Sequence, residues 1–138
     1  MEAVEMQTNI EETVNKIKEL DSEGRIDFIV LYGSLSRNRD NPLSDIDIAI
    51  HYDGDKKERF RFRINVQGRL SNRFDIQIFQ DLPLYIRNEV IKHGKPLYYR
   101  DYKGISNTYL QTLREYEDFE KYLRLYYSYL KKDAKHGR

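Results

Sequence analysis

Three aspartates stand in surroundings that ordinarily exclude them. Asp45 and Asp47 fall in the run Asp45-Ile46-Asp47-Ile48-Ala49-Ile50, and Asp75 falls in Phe74-Asp75-Ile76-Gln77-Ile78. Both runs alternate like strands, and aspartate is depleted from strands. Residues i and i+2 of a strand project from one sheet face, about 6–7 Å apart. Two carboxylates so placed repel unless a cation lies between them. If the strand of Asp75 lies beside that of Asp45, a third carboxylate joins the pair. The chain has no cysteine, and its three histidines (51, 93, 136) are far apart. An all-carboxylate donor set suits hard divalent ions, Mg²⁺ first, and Mg²⁺ held by few carboxylates usually completes its shell with substrate phosphate. Spacing alone also allows three solvated acids that never converge.

A second feature lies upstream. The apolar run Ile26–Tyr32 stops at Gly33-Ser34, ten residues before Asp45. Glycine lets a phosphate approach the backbone, and the following N–H groups and a serine hydroxyl can bond its oxygens. Gly-Ser after a strand is weak evidence alone, and Asp-x-Asp on a strand is stronger. Together they describe a site for a metal-bound, phosphate-bearing substrate.

Gly33-Ser34, ten residues, then Asp45-x-Asp47, with Asp75 on a later strand, resembles the signature of the nucleotidyltransferase superfamily with the polymerase-β-like fold. Gly-Ser-x-x-Arg37, Ser44-Asp45-Ile46-Asp47 and Leu84…Glu89-Val90-Ile91…Gly94…Leu97-Tyr98 further resemble the minimal nucleotidyltransferases, especially the MntA-type antitoxins of HEPN toxins. The resemblance spans roughly residues 25–102; Asn38 departs from it where relatives often carry glycine. It implies that Asp45, Asp47 and Asp75 are catalytic and hold two Mg²⁺ ions, and that Gly33, Ser34 and Arg37 bind the nucleotide. It also implies AMP transfer from ATP to a hydroxyl, a tyrosine of a HEPN toxin, which is thereby neutralised. The alternatives are a small-molecule nucleotidyltransferase of the antibiotic-modifying type and an antitoxin that blocks its partner sterically. The first usually adds a second helical domain; against the second stand the intact Gly-Ser and the three acids.

These residues need a scaffold. Helix is expected over 7–23, strands over Ile26–Tyr32, Asp45–Tyr52 and Arg73–Phe79, a helix over Leu82–His93, and a short strand at Leu97–Tyr99. Residues 35–44 read as a helical turn and polar loop. Residues 55–71 fit either a strand or a helix, and their length between strands favours helix. Asp45 and Asp47 should occupy the exposed face of a half-buried strand, and Arg59, Arg61 and Arg63 a solvated one. A long helix over about 105–132 carries an apolar seam of Ile105, Tyr109, Tyr116, Phe119, Leu123, Tyr126 and Leu130 that must pack on the sheet or on a partner.

Composition agrees with one α/β (α+β) domain over 1–138, with a catalytic core at about 24–100 and a small mixed sheet flanked by helices. Of 138 residues, 39% are hydrophobic and 34% charged, with 12 Tyr and 6 Phe, too aromatic for a disordered chain. Absence of cysteine excludes thiolate catalysis and cysteine-metal centres. No apolar run reaches a membrane span and no signal peptide is evident, so a cytoplasmic protein is expected, without membrane attachment or direct nucleic-acid binding. The net charge of +1 combines 13 acids and 5 bases over residues 1–55 with 10 acids and 19 bases over residues 56–138.

Overall fold

The computed structural model describes residues 2–33 and 45–136. Helix α1 (Glu2–Leu20) leads into β1 (Ile26–Tyr32); β2 (Ile46–Tyr52), α2 (Lys56–Arg69) and β3 (Phe74–Ile78) follow. A single 3-10 turn (Phe79–Asp81) precedes α3 (Leu84–His93), β4 (Lys95–Tyr99) and α4 (Tyr102–His136). The four strands form one mixed sheet in the order β3-β2-β1-β4. Strand β1 is antiparallel to β2 and β4, whereas β2 and β3 run parallel. This is the expected α/β arrangement, a small mixed sheet flanked by helices with a long C-terminal helix. Among the described residues no helix is long and apolar enough to cross a membrane.

Local chemistry explains the boundaries. Helix α1 ends at Leu20, earlier than expected, because the Asp21 carboxylate takes the backbone N–H groups of Arg25 (2.8 Å) and Ile26 (2.9 Å) and turns the chain into β1. The ambiguous segment is a helix, opened by a capping box in which Asp55 and Glu58 satisfy each other's backbone N–H. Only Phe62 and Val66 of its apolar residues are buried; Phe60 and Ile64 are exposed. Between α3 and β4 the chain passes so close to β1 that a β-carbon on Gly94 would stand 2.6 Å from Val30 Cγ1.

The sheet is covered on both sides. One face buries Ile29, Leu31, Ile46, Ile48, Ile50, Ile76 and Ile78 against Val14 and Ile17 of α1 and Phe62 and Val66 of α2. The other buries Phe28, Val30 and Ala49 against Phe79, Val90 of α3 and Ile105 of α4. The expectation of a half-buried β2 is therefore corrected: Ala49 is fully buried, because α3 and the start of α4 close over the face that the aspartates share. The seam of α4 splits in two. Ile105 and Thr112 are buried and Tyr109 packs on the second cluster, whereas Phe119, Tyr126 and Leu130 are exposed.

Arg61 is exposed as expected, but Arg59 and Arg63 depart from the expected solvated face. Strand β3 is a sheet edge, and edges carry unpaired backbone groups. Gln67 closes part of this one, donating to Phe74 O (2.7 Å) and accepting from Ile76 N (2.9 Å), while Arg63 Nε donates to Ile76 O (2.8 Å). Arg59 pairs with Asp81 at 2.8 Å and with the Gly54 carbonyl at 2.9 Å. Replacing Gln67 by Leu should leave two half-buried backbone groups without their partner and cost about 1–2 kcal/mol. Thermal unfolding should then begin roughly 4–8 °C lower.

Candidate active site

The register of the parallel strands sets Asp47 of β2 directly opposite Asp75 of β3. Across the antiparallel pair, Tyr32, the last residue of β1, stands opposite Asp47. Directly opposed residues share a sheet face, so Tyr32, Asp47 and Asp75 form a row across three adjacent strands. The row lies where β1 ends and β2 and β3 begin, beyond the part of the face that α3 and α4 cover. Asp47 and Asp75 are half-buried and within hydrogen-bonding reach of each other. Gln77, two residues along the same face of β3, holds Asp75 by donating from Nε2 to Oδ1 at 3.0 Å.

This crowding shows in the acid–base properties. Burial first, then the charges of Asp75 and Asp45, pushes the Asp47 carboxyl up to about 6. The Tyr32 phenol is likewise raised, by burial and then by Asp47 and Asp75. Three groups thus stand where a second negative charge is unwelcome and a cation is not.

Gly33 completes the arrangement. Its φ is +82°, in the left-handed region that side chains avoid. A β-carbon there would overlap Asp47 Oδ2 and sit 3.2 Å from its Cγ. Glycine at this position therefore does two things: it lets the chain turn off β1, and it leaves room for the Asp47 carboxylate against the backbone.

Of the residues singled out from sequence, the structure brings together Gly33, Asp47 and Asp75. Asp45 is exposed, one residue before β2 joins the ladder at Ile46, and it reaches Asp47 through its charge. Ser34, Arg37 and Ser44 lie outside the described residues. Among the described residues no group of three or more acidic or histidine side chains is gathered closely enough to hold a metal ion unaided. The donors present nevertheless fit one. They are all oxygen, and two carboxylates are adjacent at a cost that a cation would remove. Two contributors escaped sequence reasoning. Gln77 was readable in principle, being i+2 from Asp75 on a strand, whereas Tyr32 gave no signal until the β1–β2 register was known.

The polymerase-β nucleotidyltransferase domain model ("Polymerase beta, Nucleotidyltransferase") matches residues 15–103. A Methanocaldococcus jannaschii protein named as a protein adenylyltransferase is 35% identical over 96 residues, covering 70% of this chain and 74% of its own. A crystal structure of a toxin–antitoxin with AMP-PNP shares the fold at a TM-score of 0.67 and 20% identity, over 87% of this chain and 97% of that one. A tri-AMPylated Shewanella oneidensis HEPN toxin in complex with its MNT antitoxin does so at 0.63 and 20%, with the same coverage.

Two expectations follow from the geometry. Gly33→Ala should lower nucleotidyl transfer by about 100-fold or more while costing only about 1–2 kcal/mol of stability, since the strain and the displaced Asp47 carboxylate are local. Asp47→Asn should stabilise the metal-free protein. A carboxyl raised in the folded state holds its proton there while the unfolded chain has lost it, so the wild type loses stability as pH rises from about 4 to about 6. With half-exposure screening the effect to about 1 kcal/mol, the variant should melt roughly 3–5 °C above wild type in EDTA at pH 8. The two curves should meet near pH 4.

Proposed function

The chain belongs to the polymerase-β nucleotidyltransferase family, and from that premise we propose that it moves AMP from ATP onto a tyrosine hydroxyl of a HEPN toxin, acting as its Mg²⁺-dependent antitoxin. One observation carries the reading: Asp47 and Asp75 stand abreast across the β2–β3 pair, with Gly33 packed against Asp47. The choice of a protein acceptor is supported by the relative named as a protein adenylyltransferase. The choice of a HEPN toxin is supported by the complexes that share this fold.

In this proposal Asp45 and Asp47 hold the Mg²⁺ that accompanies the triphosphate, and share with Asp75 a second ion beside the acceptor. When bound, the metal offsets the phosphate charge and makes the acceptor hydroxyl more acidic. Gly33, which carries no side chain, is assigned to the β- and γ-phosphates. Ser34 and Arg37, outside the described residues, are assigned to the same phosphates. Asp75, fixed by the Gln77 amide, takes the proton of the incoming hydroxyl. The hydroxyl oxygen bonds to the α-phosphorus, the bond from that phosphorus to the bridging oxygen of the β-phosphate breaks, and pyrophosphate leaves. Asp47 must be ionised throughout. Its raised value makes the free enzyme lose activity as pH falls through about 6, and metal binding shifts that limb lower.

The direct test incubates the protein with its candidate toxin, ATP and Mg²⁺, and weighs the toxin by intact-mass spectrometry. The reading requires mass additions of whole AMP units, mapped to tyrosine and abolished by EDTA. An unmodified but bound toxin would instead identify a steric antitoxin. Within the proposal, Asp75→Asn should lower kcat by about 100-fold or more and change the dissociation constant of Mg²⁺-ATP by less than about threefold. Loss of affinity in step with rate would contradict the role given to Asp75.

A further inference from the structure

The distal half of α4 leaves the body of the protein with its apolar seam uncovered. Ile105, Tyr109 and Thr112 dock on the sheet, and the same three-and-four spacing then continues through Tyr116, Phe119, Leu123, Tyr126 and Leu130. At 1.5 Å per residue, Phe119 lies about 21 Å along the axis from Ile105, beyond reach of the surface that covers the first turns. Phe119 is 43%, Tyr126 49% and Leu130 45% exposed, and Tyr122, Tyr127 and Tyr129 beside them are about 60% exposed. An aromatic side chain can bury 150–250 Å², so these residues together present several hundred Å². That is the scale of one side of a standard interface, roughly 800 Å², and at or above the largest apolar patch of a typical monomer.

The charges on this segment are segregated along the helix. Residues 115–120 carry Glu115, Glu117, Asp118 and Glu120 and no base; residues 121–132 carry Lys121, Arg124, Lys131 and Lys132 and no acid. A parallel copy of the same helix would set acid against acid. An antiparallel copy sets acid against base.

We propose that this segment is a self-association surface, pairing with the same segment of a second copy of the chain in antiparallel orientation about a two-fold axis between Arg124 and Leu125. In that register Phe119 meets Leu130 of the second copy and Leu123 meets its Tyr126, so every seam residue from 119 to 130 faces another. Tyr122 of each copy lies beside Tyr129 of the other on one flank of the seam, and the acidic turn 115–120 of each runs level with Lys131 and Lys132 of the other. The patch is self-complementary, as a two-fold interface requires. The catalytic ends of the two sheets stay apart, each carried on the proximal half of its own α4, so the inference stands independently of the reaction proposed above.

The absence of cysteine makes the geometry directly testable. Two single variants, Phe119→Cys and Leu130→Cys, are oxidised separately and then mixed. The proposed register places residue 119 about 16 Å along the axis from its own copy, and likewise residue 130, too far for a disulfide, whereas 119 and 130 of different copies are level. A crosslink that forms in the mixture and in neither variant alone is the expected result. Self-crosslinking of either variant, or no crosslink in the mixture, overturns the proposal. Sedimentation equilibrium supplies the second measurement. The wild type should be a dimer at high micromolar concentration, and Leu123→Glu/Tyr126→Glu a monomer with unchanged nucleotidyl transfer. A wild type that stays monomeric alone and associates only when a helical toxin is added would overturn self-association in favour of that partner.

Discussion

Two carboxylates held side by side across a parallel strand pair are the constraint around which this fold is arranged. Neither Asp47 nor Asp75 can move away, because each sits in a strand whose neighbours, Ile46, Ile48, Ile76 and Ile78, are locked into the core beneath α1 and α2. A one-residue slip of β3 against β2 would separate the acids, but it would also turn the isoleucines out of the core. Burial of those side chains, each contributing about 1.5–3 kcal/mol, outweighs the repulsion of one half-exposed acid pair. Burial first, and then that imposed repulsion, raises the Asp47 carboxyl.

The rest of the molecule keeps this pair in place and keeps its face open. Gln67 and Arg63 occupy the outer edge of β3, fixing the strand that brings Asp75. Helix α3, the 3-10 turn and the first turns of α4 cover the far end of the same face, burying Ala49 and Phe28, and stop short of the acids. Gly33 gives the Asp47 carboxylate room against the backbone. A member of the nucleotidyltransferase family needs such a surface, rigid where the acids are anchored. Among the described residues the enclosed part of the molecule is spent on the sheet.

A chain of 138 residues has little surface to spare. Here the two tasks lie on different parts of it. Chemistry is assigned to one end of the sheet, and an apolar, charge-segregated surface is carried out on the distal half of a 35-residue helix. The helix is continuous, so its orientation is set by the proximal turns that pack on Phe28 and Val30, the same turns that close the back of the site.

Much of this was legible in the residues. Strand β1 has the bounds its apolar run predicts, and the period-2 isoleucines placed Asp47 and Asp75 on like faces of their strands without any coordinates. Period-2 alternation depends only on backbone pleating, a local property, and glycine beside serine at a strand end is local too. What a neighbouring element does to a residue is not. Sequence could not tell that α3 and α4 would cover Ala49, that Arg59 and Arg63 would be drawn into bonds with Asp81 and the β3 edge, or that Tyr32 would stand beside the acids. Nor could it divide the seam of α4, whose spacing is the same where it is buried and where it is bare. The amino-acid order determined which side chains point together along each strand. Only the packing of distant segments decided which strands lie adjacent, and so which charges share one low-dielectric space, because that choice is made by the burial of the whole core rather than by any residue in the site.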